Sequence, residues 1–310
     1  MSMQANAIAE PGLGTQTIGQ GKIPAMRGMY WAVRRELWES RSIYLALLAV
    51  AVLFLSGFAI RIVRLPAQMQ AAALLDPMKQ RQAIVAPYDI AAGLFMATAM
   101  IVAVFYCLDA LYGERRDRST LFWKSLPVSD LTTVLAKASV PLVVLPFLAF
   151  AFTVLTQLLM VLMSCAVLAG SGQSVTTLWT QLSFFRMTLL LLYHLVAVHA
   201  LWHAPFYAWL LLVSAWSRRA PFVWAILPPV AIGYLEKITF NTTHFFGFLQ
   251  YRLEGGGMDA ITIPGTFPMN PMTQLTPGRF LAAPGLWFGL ALTAAFLAAA
   301  VQLRRYRGPI

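Results

Sequence analysis

Six long runs of apolar residues, separated by shorter polar segments, set the pattern of the chain. They cover roughly residues 43–63, 89–111, 138–168, 185–216, 220–238 and 284–303. About 20 consecutive apolar residues cross the hydrocarbon core of a bilayer as an α-helix. The pattern therefore predicts an all-α, polytopic membrane protein with six transmembrane helices. Prolines inside the runs predict kinks in the third, fourth and fifth helices, at Pro141, Pro146, Pro205, Pro228 and Pro229.

Composition supports this class and excludes a water-soluble domain. Of the 310 residues, 59% are hydrophobic and only 11% are charged, whereas soluble domains carry about 25% charged residues. A polar surface cannot be built from so few charges. Most of the surface must therefore face lipid.

The positive charge of the chain follows the membrane topology. The formal net charge is +11, which at first sight fits a nucleic-acid partner. With the N-terminus inside, however, 15 of the 23 lysines and arginines lie in the inner segments and eight in the outer ones. This is the bias of the positive-inside rule. We therefore expect a plasma (inner) membrane protein with both termini cytoplasmic and no nucleic-acid partner.

The segment before the first run, "RGMYWAVRRELWESR" (27–41), has the pattern of an amphipathic helix. Met29, Tyr30, Val33 and Leu37 fall on one apolar arc at 100° per residue. We interpret it as a helix in the cytoplasmic membrane interface, with Trp31, Arg34 and Trp38 at headgroup depth. The alternative is a simple extension of the first span. Residues 1–26 are polar and glycine-rich, which predicts a flexible cytoplasmic tail.

The segment after the second run, "YGERRDRSTLFWKSLPVSD" (112–130), collects charge that the rest of the chain avoids. Its helix-forming residues predict a short helix over about 113–126, ended by Pro127, with Ser129 or Asp130 capping the next helix. Mixed charge beside Phe122 and Trp123 suits docking to a protein groove. The alternative is a solvated loop that only sets topology.

Two segments resemble the ABC-2 type permease family, the membrane subunits of ABC transporters. They are "YGERRDRSTLFWKSLPVSDLTTVLAK" (112–137) and "APFYAWLLLVSAWSRRAPFVWAILPP" (204–229). The resemblance covers roughly residues 27–307 and implies one six-helix transmembrane domain, 27–310. It also implies an exporter made of two permease copies, expected as a homodimer, and separate ATPase subunits that hold the ATP and Mg. In that family the first cytoplasmic loop is a coupling helix that docks on the ATPase, which here assigns this role to Glu114, Arg115, Arg116, Asp117, Arg118, Phe122 and Trp123.

Candidate chemistry within the chain itself is sparse. "GLGTQTIGQGK" lacks the lysine of a phosphate-binding loop, so we expect no ATP site, no cofactor and no catalytic residue here. His199 and His203 are four residues apart in the fourth run, in "HALWH", without the glutamate of a metalloprotease motif. Polar residues inside spans usually face the protein interior or a water-filled path. We expect these histidines to pack in the protein interior or to line the translocation path, while a proton relay and a metal site remain alternatives.

The outer segment 239–283 departs from the family pattern and is rich in Gly, Pro, Met and Thr. We interpret it as an outer cap, preceded by a short re-entrant or interfacial helix around Phe245–Leu249. Two other functions stay open. One is a proton-coupled secondary transporter or channel that uses His199, His203 or Asp109; the other is an intramembrane enzyme.

Overall fold

A computed structural model of the chain describes residues 25–119, 128–253 and 277–306. Within these ranges the protein is helical and contains no strand. Six helical stretches are long and apolar enough to cross a membrane: Ser42–Ala72, Pro77–Arg116, Asp130–Gly170, Thr176–Trp202, Pro221–Phe240 and Pro284–Tyr306. By length and composition, the prediction of an all-α protein with six membrane-spanning helices is confirmed.

The first two spans form a hairpin of nearly continuous helices. Their elements are α1 (Ala25–Glu39), α2 (Ser42–Arg61), α3 (Leu65–Ala72), α4 (Pro77–Ala110) and α5 (Tyr112–Arg116), with a 3-10 turn at Ile62–Arg64 between α2 and α3. Pro77 occupies the first turn of α4, where its missing N–H costs nothing.

The second span is longer than its apolar run. Its helix α4 begins at Pro77, twelve residues before the predicted start near residue 89, and its 34 residues reach about 51 Å. The hydrocarbon core is only about 30 Å thick. The helix is thus about 20 Å longer than that core, and in its first part Ile84 packs with Leu168 and Leu178.

The third span changes its helical pitch at its first proline. It consists of α6 (Asp130–Ser139), a π-helical stretch (Val140–Val144) that contains Pro141, and α7 (Leu145–Gly170). The Ser129 side chain accepts a hydrogen bond from the Thr132 N–H at 3.1 Å, which confirms the predicted N-cap. The predicted irregularity near Pro141 is thus present as a π-helical stretch.

The fourth span is broken and the fifth is not. The fourth, Thr176–Trp202, contains α8 (Thr176–Leu182), α9 (Phe184–His194) and a π-helix (Leu195–Trp202). The shorter apolar helix α10 (Ala204–Trp216) follows it, and we count α10 as the end of the fourth span because both belong to one apolar run. The break at His203 lies two residues before Pro205, which stands in the first turn of α10, where its missing N–H is tolerated. The fifth span, α11 (Pro221–Phe240), continues as one helix through Pro228 and Pro229.

The segment after the fifth span begins with the helix that its apolar residues predict. This helix is α12 (His244–Leu253), followed after the undescribed residues 254–276 by α13 (Pro277–Ala282) and the last span, α14 (Pro284–Tyr306). Arg252 of α12 is buried, and its guanidinium lies 4.5 Å from the centroid of the Trp202 ring. It donates hydrogen bonds to the carbonyl oxygens of Trp202 and Gly285, so it ties α12 to the fourth and last spans.

The core next to α1 and α5 is built from small side chains packed against large ones. Ala103, Ala110 and Ala138 lie beside Tyr207 and Leu211 and bring the second, third and fourth spans close together. The α10 helix packs most extensively against α14 and also against α4. This arrangement places the ends of the second, third, fourth and last spans around one point.

Candidate functional site

The loop after the second span is attached to the end of the fourth span. The Ser214 hydroxyl donates to the Leu108 carbonyl oxygen at 2.8 Å and accepts from the N–H groups of Leu111 and Tyr112, at 3.0 and 2.8 Å. Arg115 Nη1 donates to the carbonyl oxygens of Ala215 at 2.6 Å and Ser217 at 3.1 Å. Carbonyls at a helix C-terminus have no partner within the helix. Arg115 therefore satisfies the end of α10 and fixes α5 beside it.

Glu114 connects α5 to three other helices. Its Oε1 lies 3.0 Å from Arg35 Nη2 of α1 and 3.1 Å from Lys137 Nζ of α6. Its Oε2 accepts a hydrogen bond from Arg304 Nη1 of α14. One carboxylate of the first loop thus holds the helix before the first span, the start of the third span and the end of the last span.

Glu36 completes this charged junction from the side of α1. Lys137 Nζ lies 3.0 Å from both of its oxygens, Arg35 Nη2 lies 2.7 Å from one, and the Tyr106 hydroxyl donates to the other at 2.8 Å. Arg304 Nε also pairs with Asp130 at 3.1 Å. We define the charged junction as three cations and three carboxylates: Arg35, Lys137, Arg304, Glu36, Glu114 and Asp130.

The charged junction has equal numbers of opposite charges, which makes its burial possible; Glu39, which also pairs with Arg35 at 3.5 Å, is 48% exposed and lies at its edge. A buried charge without a partner costs several kcal/mol, because water no longer solvates it. Burial alone lowers the pKa of the Arg35 guanidinium, but Glu36, Glu39 and Glu114 together more than offset this and raise that pKa above its ordinary value. Arg35 therefore stays charged, as the junction requires.

The five consecutive charges after the second span divide into two buried and three exposed residues. Glu114 is 8% and Arg115 6% exposed, and both are engaged within the chain. Arg116, Asp117 and Arg118 are exposed. The sequence alone does not show that Glu114 and Arg115 are buried, because their partners lie far away in the chain.

The helix predicted over about 113–126 is interrupted after Arg116 in its described part, while residues 120–127 lie outside the described residues. The α5 helix ends at Arg116, whose Nε pairs with Asp117 at 3.0 Å, and Arg118 has a φ of +58°. A left-handed backbone cannot continue an α-helix. Phe122 and Trp123, the two aromatic residues assigned to ATPase docking, lie outside the described residues.

A cavity of about 790 Å³ opens beside the charged junction. Its walls come from α1, the start of α2, the end of α4 and the α5 loop, and include Glu39, Phe105, Asp109 and Lys137. Asp109 is exposed there and makes no ion pair with a described residue.

The helix before the first span has one face on the protein and one turned outward. Leu37 packs against the core cluster of Ile43 and Tyr106, so this part of the apolar arc contacts protein and not lipid. Trp31 and Trp38 are instead the exposed side chains, at 58% and 71%. The Arg34 guanidinium lies 5.2 Å and 5.4 Å from their ring centroids.

His199 and His203 are both buried, and their ring centroids are 6.0 Å apart. His203 Nδ1 lies 2.7 Å from the Val198 carbonyl oxygen, and its Nε2 lies 3.4 Å from that of Leu253. No cluster of three or more His, Cys, Asp or Glu side chains suited to a metal occurs in the described ranges. The observed contacts of His203 join the break in the fourth span to the end of α12.

Sequence reasoning missed Asp89, a carboxylate buried within the second span. Asp89 is 3% exposed, and neither of its oxygens has a hydrogen-bond partner among the described residues. Nearby on the same helix, Tyr88 accepts a hydrogen bond from Gln157 at 3.0 Å through its carbonyl oxygen. The available signal was one acid in the apolar stretch "APYDIAAGLF". This signal is weak, because Asp89 is the first residue of the predicted span and an acid at the end of a span is not unusual.

No protein-family model matches the chain, and neither a curated protein nor a solved structure matches it. The likeness to ABC-2 type permeases therefore rests on the two sequence segments alone. The multi-pass membrane architecture rests on the six apolar helices.

Proposed function

We propose that this chain is the membrane subunit of an ATP-driven ABC exporter of the ABC-2 type. ATP and Mg are held by a separate ATPase subunit that docks on the loop after the second span. The charged junction around Glu114 is the observation that carries this proposal. It joins the loop where the ATPase would bind to the ends of the spans that must move.

The loop has an exposed side and a buried side. Arg116, Asp117 and Arg118 are exposed and accessible to a partner. Glu114 and Arg115 are buried and held by α1, α6, α10 and α14. Displacement of the exposed side therefore reaches four helices through short, charge-assisted hydrogen bonds. A partner that binds one arrangement of these helices more tightly than another shifts the population toward that arrangement.

A second copy of the chain completes the translocation path in this proposal. In the fifth span only Ala225 and Gly233 are buried, so nearly all of α11 is available to lipid or to another subunit. Ile101 and Phe105 of α4 are also exposed on the part of the second span near the cavity. We place the homodimer contact along these two helices, in the plasma membrane with both termini cytoplasmic.

A proton-coupled secondary transporter or channel is the second candidate, and Asp89 is the observation that favours it. Buried acids in membrane spans often belong to proton or ion paths. Gln157 and His199 also have a buried polar atom without a hydrogen-bond partner among the described residues. These groups belong to the second, third and fourth spans, as a relay through the bundle requires.

ATPase capture separates the two candidates. The chain is purified from its native membrane after crosslinking through Arg116→Cys, and partners are identified by mass spectrometry. The first proposal expects an ATPase with a G-x-x-x-x-G-K-[ST] motif, whose activity rises when the two are reconstituted. The matched control is Arg61→Cys at the other end of the first span. Substrate flux driven by a proton gradient without ATP would replace the first proposal by the second.

A further inference from the structure

A stripe along α1 combines exposed arginines with exposed aromatic rings. Five side chains fall within an arc of about 100° on the helix, and all five are exposed: Arg27, Tyr30, Trp31, Arg34 and Trp38. We call these five residues the Arg/Trp stripe. The opposite side of α1 carries Glu36 and packs into the charged junction. The stripe is therefore the part of α1 that the described chain leaves open.

The Arg/Trp stripe carries positive charge without a carboxylate. The two acids of α1 lie outside its arc, where Glu36 is buried and Glu39 pairs with Arg35 at 3.5 Å. Arg34 makes no ion pair with a described residue, whereas its neighbour Arg35 contacts three carboxylates. The charge of the stripe is thus uncompensated by this part of the chain and attracts an anion.

Arg34 is held ready for that anion by two rings. Its guanidinium lies between Trp31 and Trp38, within cation–π distance of both. Arg34 is nevertheless exposed, so its guanidinium is accessible to a ligand. The planar fork of a guanidinium matches the oxygens of a phosphate group. Pre-organisation of this kind lowers the entropy lost when a phosphate binds.

The surroundings of the stripe identify the carrier of the phosphate as lipid. Tryptophan concentrates at the headgroup depth of membranes, where the ring is partly out of water. The α2 helix starts at Ser42, directly after α1, and Leu45 and Leu48 of its first turns are exposed on a membrane-spanning helix. The stripe therefore continues a lipid-facing surface. We propose that the Arg/Trp stripe binds the phosphate of anionic phospholipids, with Arg34 between Trp31 and Trp38 as its centre.

Tryptophan quenching in nanodiscs tests this site on the full chain, without an ATPase. The protein is placed in phosphatidylcholine nanodiscs that contain either brominated phosphatidylcholine or brominated phosphatidylglycerol. The signal of the site is the part of the quenching that is lost in the Trp31→Phe/Trp38→Phe variant. We expect stronger quenching by the brominated phosphatidylglycerol. Because one arginine near an anionic surface contributes about 1 kcal/mol, this preference should fall about fivefold in Arg34→Gln.

Arg219→Gln is the matched control, since Arg219 is an exposed arginine in the turn between α10 and α11. It should keep the preference for phosphatidylglycerol. Unchanged preference in Arg34→Gln would overturn the proposal. If Arg34→Gln kept the lipid preference but abolished self-association or ATPase capture, the Arg/Trp stripe would be a protein interface, and the lipid proposal would be wrong. Because the purified chain is used alone, a failed lipid test leaves the proposed transport function untouched.

Discussion

Lys137 Nζ lies 3.0 Å from both carboxylate oxygens of Glu36, although 101 residues separate the two in the chain. Both side chains are only 3% exposed. This pair joins the helix before the first span to the start of the third span, and it forms the centre of the charged junction. Its properties lead to the first prediction.

Lys137→Met should destabilise the protein by about 3–5 kcal/mol, because it leaves buried carboxylates with too few cations. The measurement is thermal or denaturant unfolding of the purified protein in detergent. Lys79→Met is the matched control, since Lys79 and its partner Asp76 are exposed and 3.8 Å apart, and such pairs contribute about 0–1 kcal/mol. Adding Glu36→Gln to Lys137→Met should recover part of the loss. Equal stability of the two single lysine variants would contradict a stabilising junction.

The buried and the exposed charges of the first loop should have different effects: the buried ones on coupling to the ATPase, and the exposed ones on its binding. Glu114→Gln should reduce ATPase stimulation more than ATPase binding, because Glu114 contacts helices of its own chain. A combined Arg116→Ala/Arg118→Ala variant should weaken ATPase binding itself, since both residues are exposed. Pull-down and stimulated ATP hydrolysis, measured side by side, check this split. Identical effects of both changes on both measurements would contradict it.

Aromatic residues of the same loop give a prediction from sequence alone. Aromatic anchors at the centre of an interface often contribute 2 kcal/mol or more, whereas rim charges mainly set association rate. Phe122→Ala or Trp123→Ala should therefore weaken ATPase binding more than Arg118→Ala does. Dissociation rates from the immobilised ATPase measure the difference. A loop that only sets topology would show no effect of any of these changes.

Gly289→Ala should destabilise the protein by about 1–3 kcal/mol, because an added Cβ would overlap the guanidinium of Arg252. Gly57→Ala is the control, since nothing lies within 4 Å of a Cβ at that helical position. There alanine should be neutral or stabilising. A double-mutant cycle with Arg252→Ala checks the cause. Purely additive losses would show that the two residues do not interact.

Asp89→Asn distinguishes the two candidate functions. In the ABC exporter we expect ATP-driven transport to continue and stability to hold or rise, since a neutral amide is easier to bury than a carboxylate. Asp76→Asn, at an exposed acid before α4, is the matched control. Transport in proteoliposomes with ATP, and separately with a proton gradient, provides the measurement. Loss of transport with full ATPase binding would favour a proton path through Asp89.

The spans were predictable because lipid requires long apolar helices, and this requirement is visible in any stretch of about 20 residues. The start of the second span was not. Residues 77–88 of α4 precede the apolar run and are stabilised by contacts such as Ile84 with Leu168, which join distant parts of the chain. Hydropathy shows which segments are apolar enough to lie in lipid, but it contains no information on contacts between distant residues.

The candidate site was predictable in place but not in detail. A run of five charges after the second span marked the loop correctly as unusual. Which of these charges turn inward depends on Lys137 and Arg304, whose pairing with Glu114 spans up to 190 residues. Under the positive-inside rule, Lys137 and Arg304 indicate only the cytoplasmic side of the membrane. Their second task is visible only once the helices are packed.

The position of Arg304 makes the charged junction sensitive to the progress of biosynthesis. Every other member of the junction precedes it in the chain, and it lies near the end of the last span. Until that helix has entered the membrane, Glu36, Glu114 and Asp130 face only Arg35 and Lys137, and the cluster carries an excess negative charge. Truncation before residue 304 leaves the same imbalance. The charges of the junction are therefore balanced only once the last helix is in place.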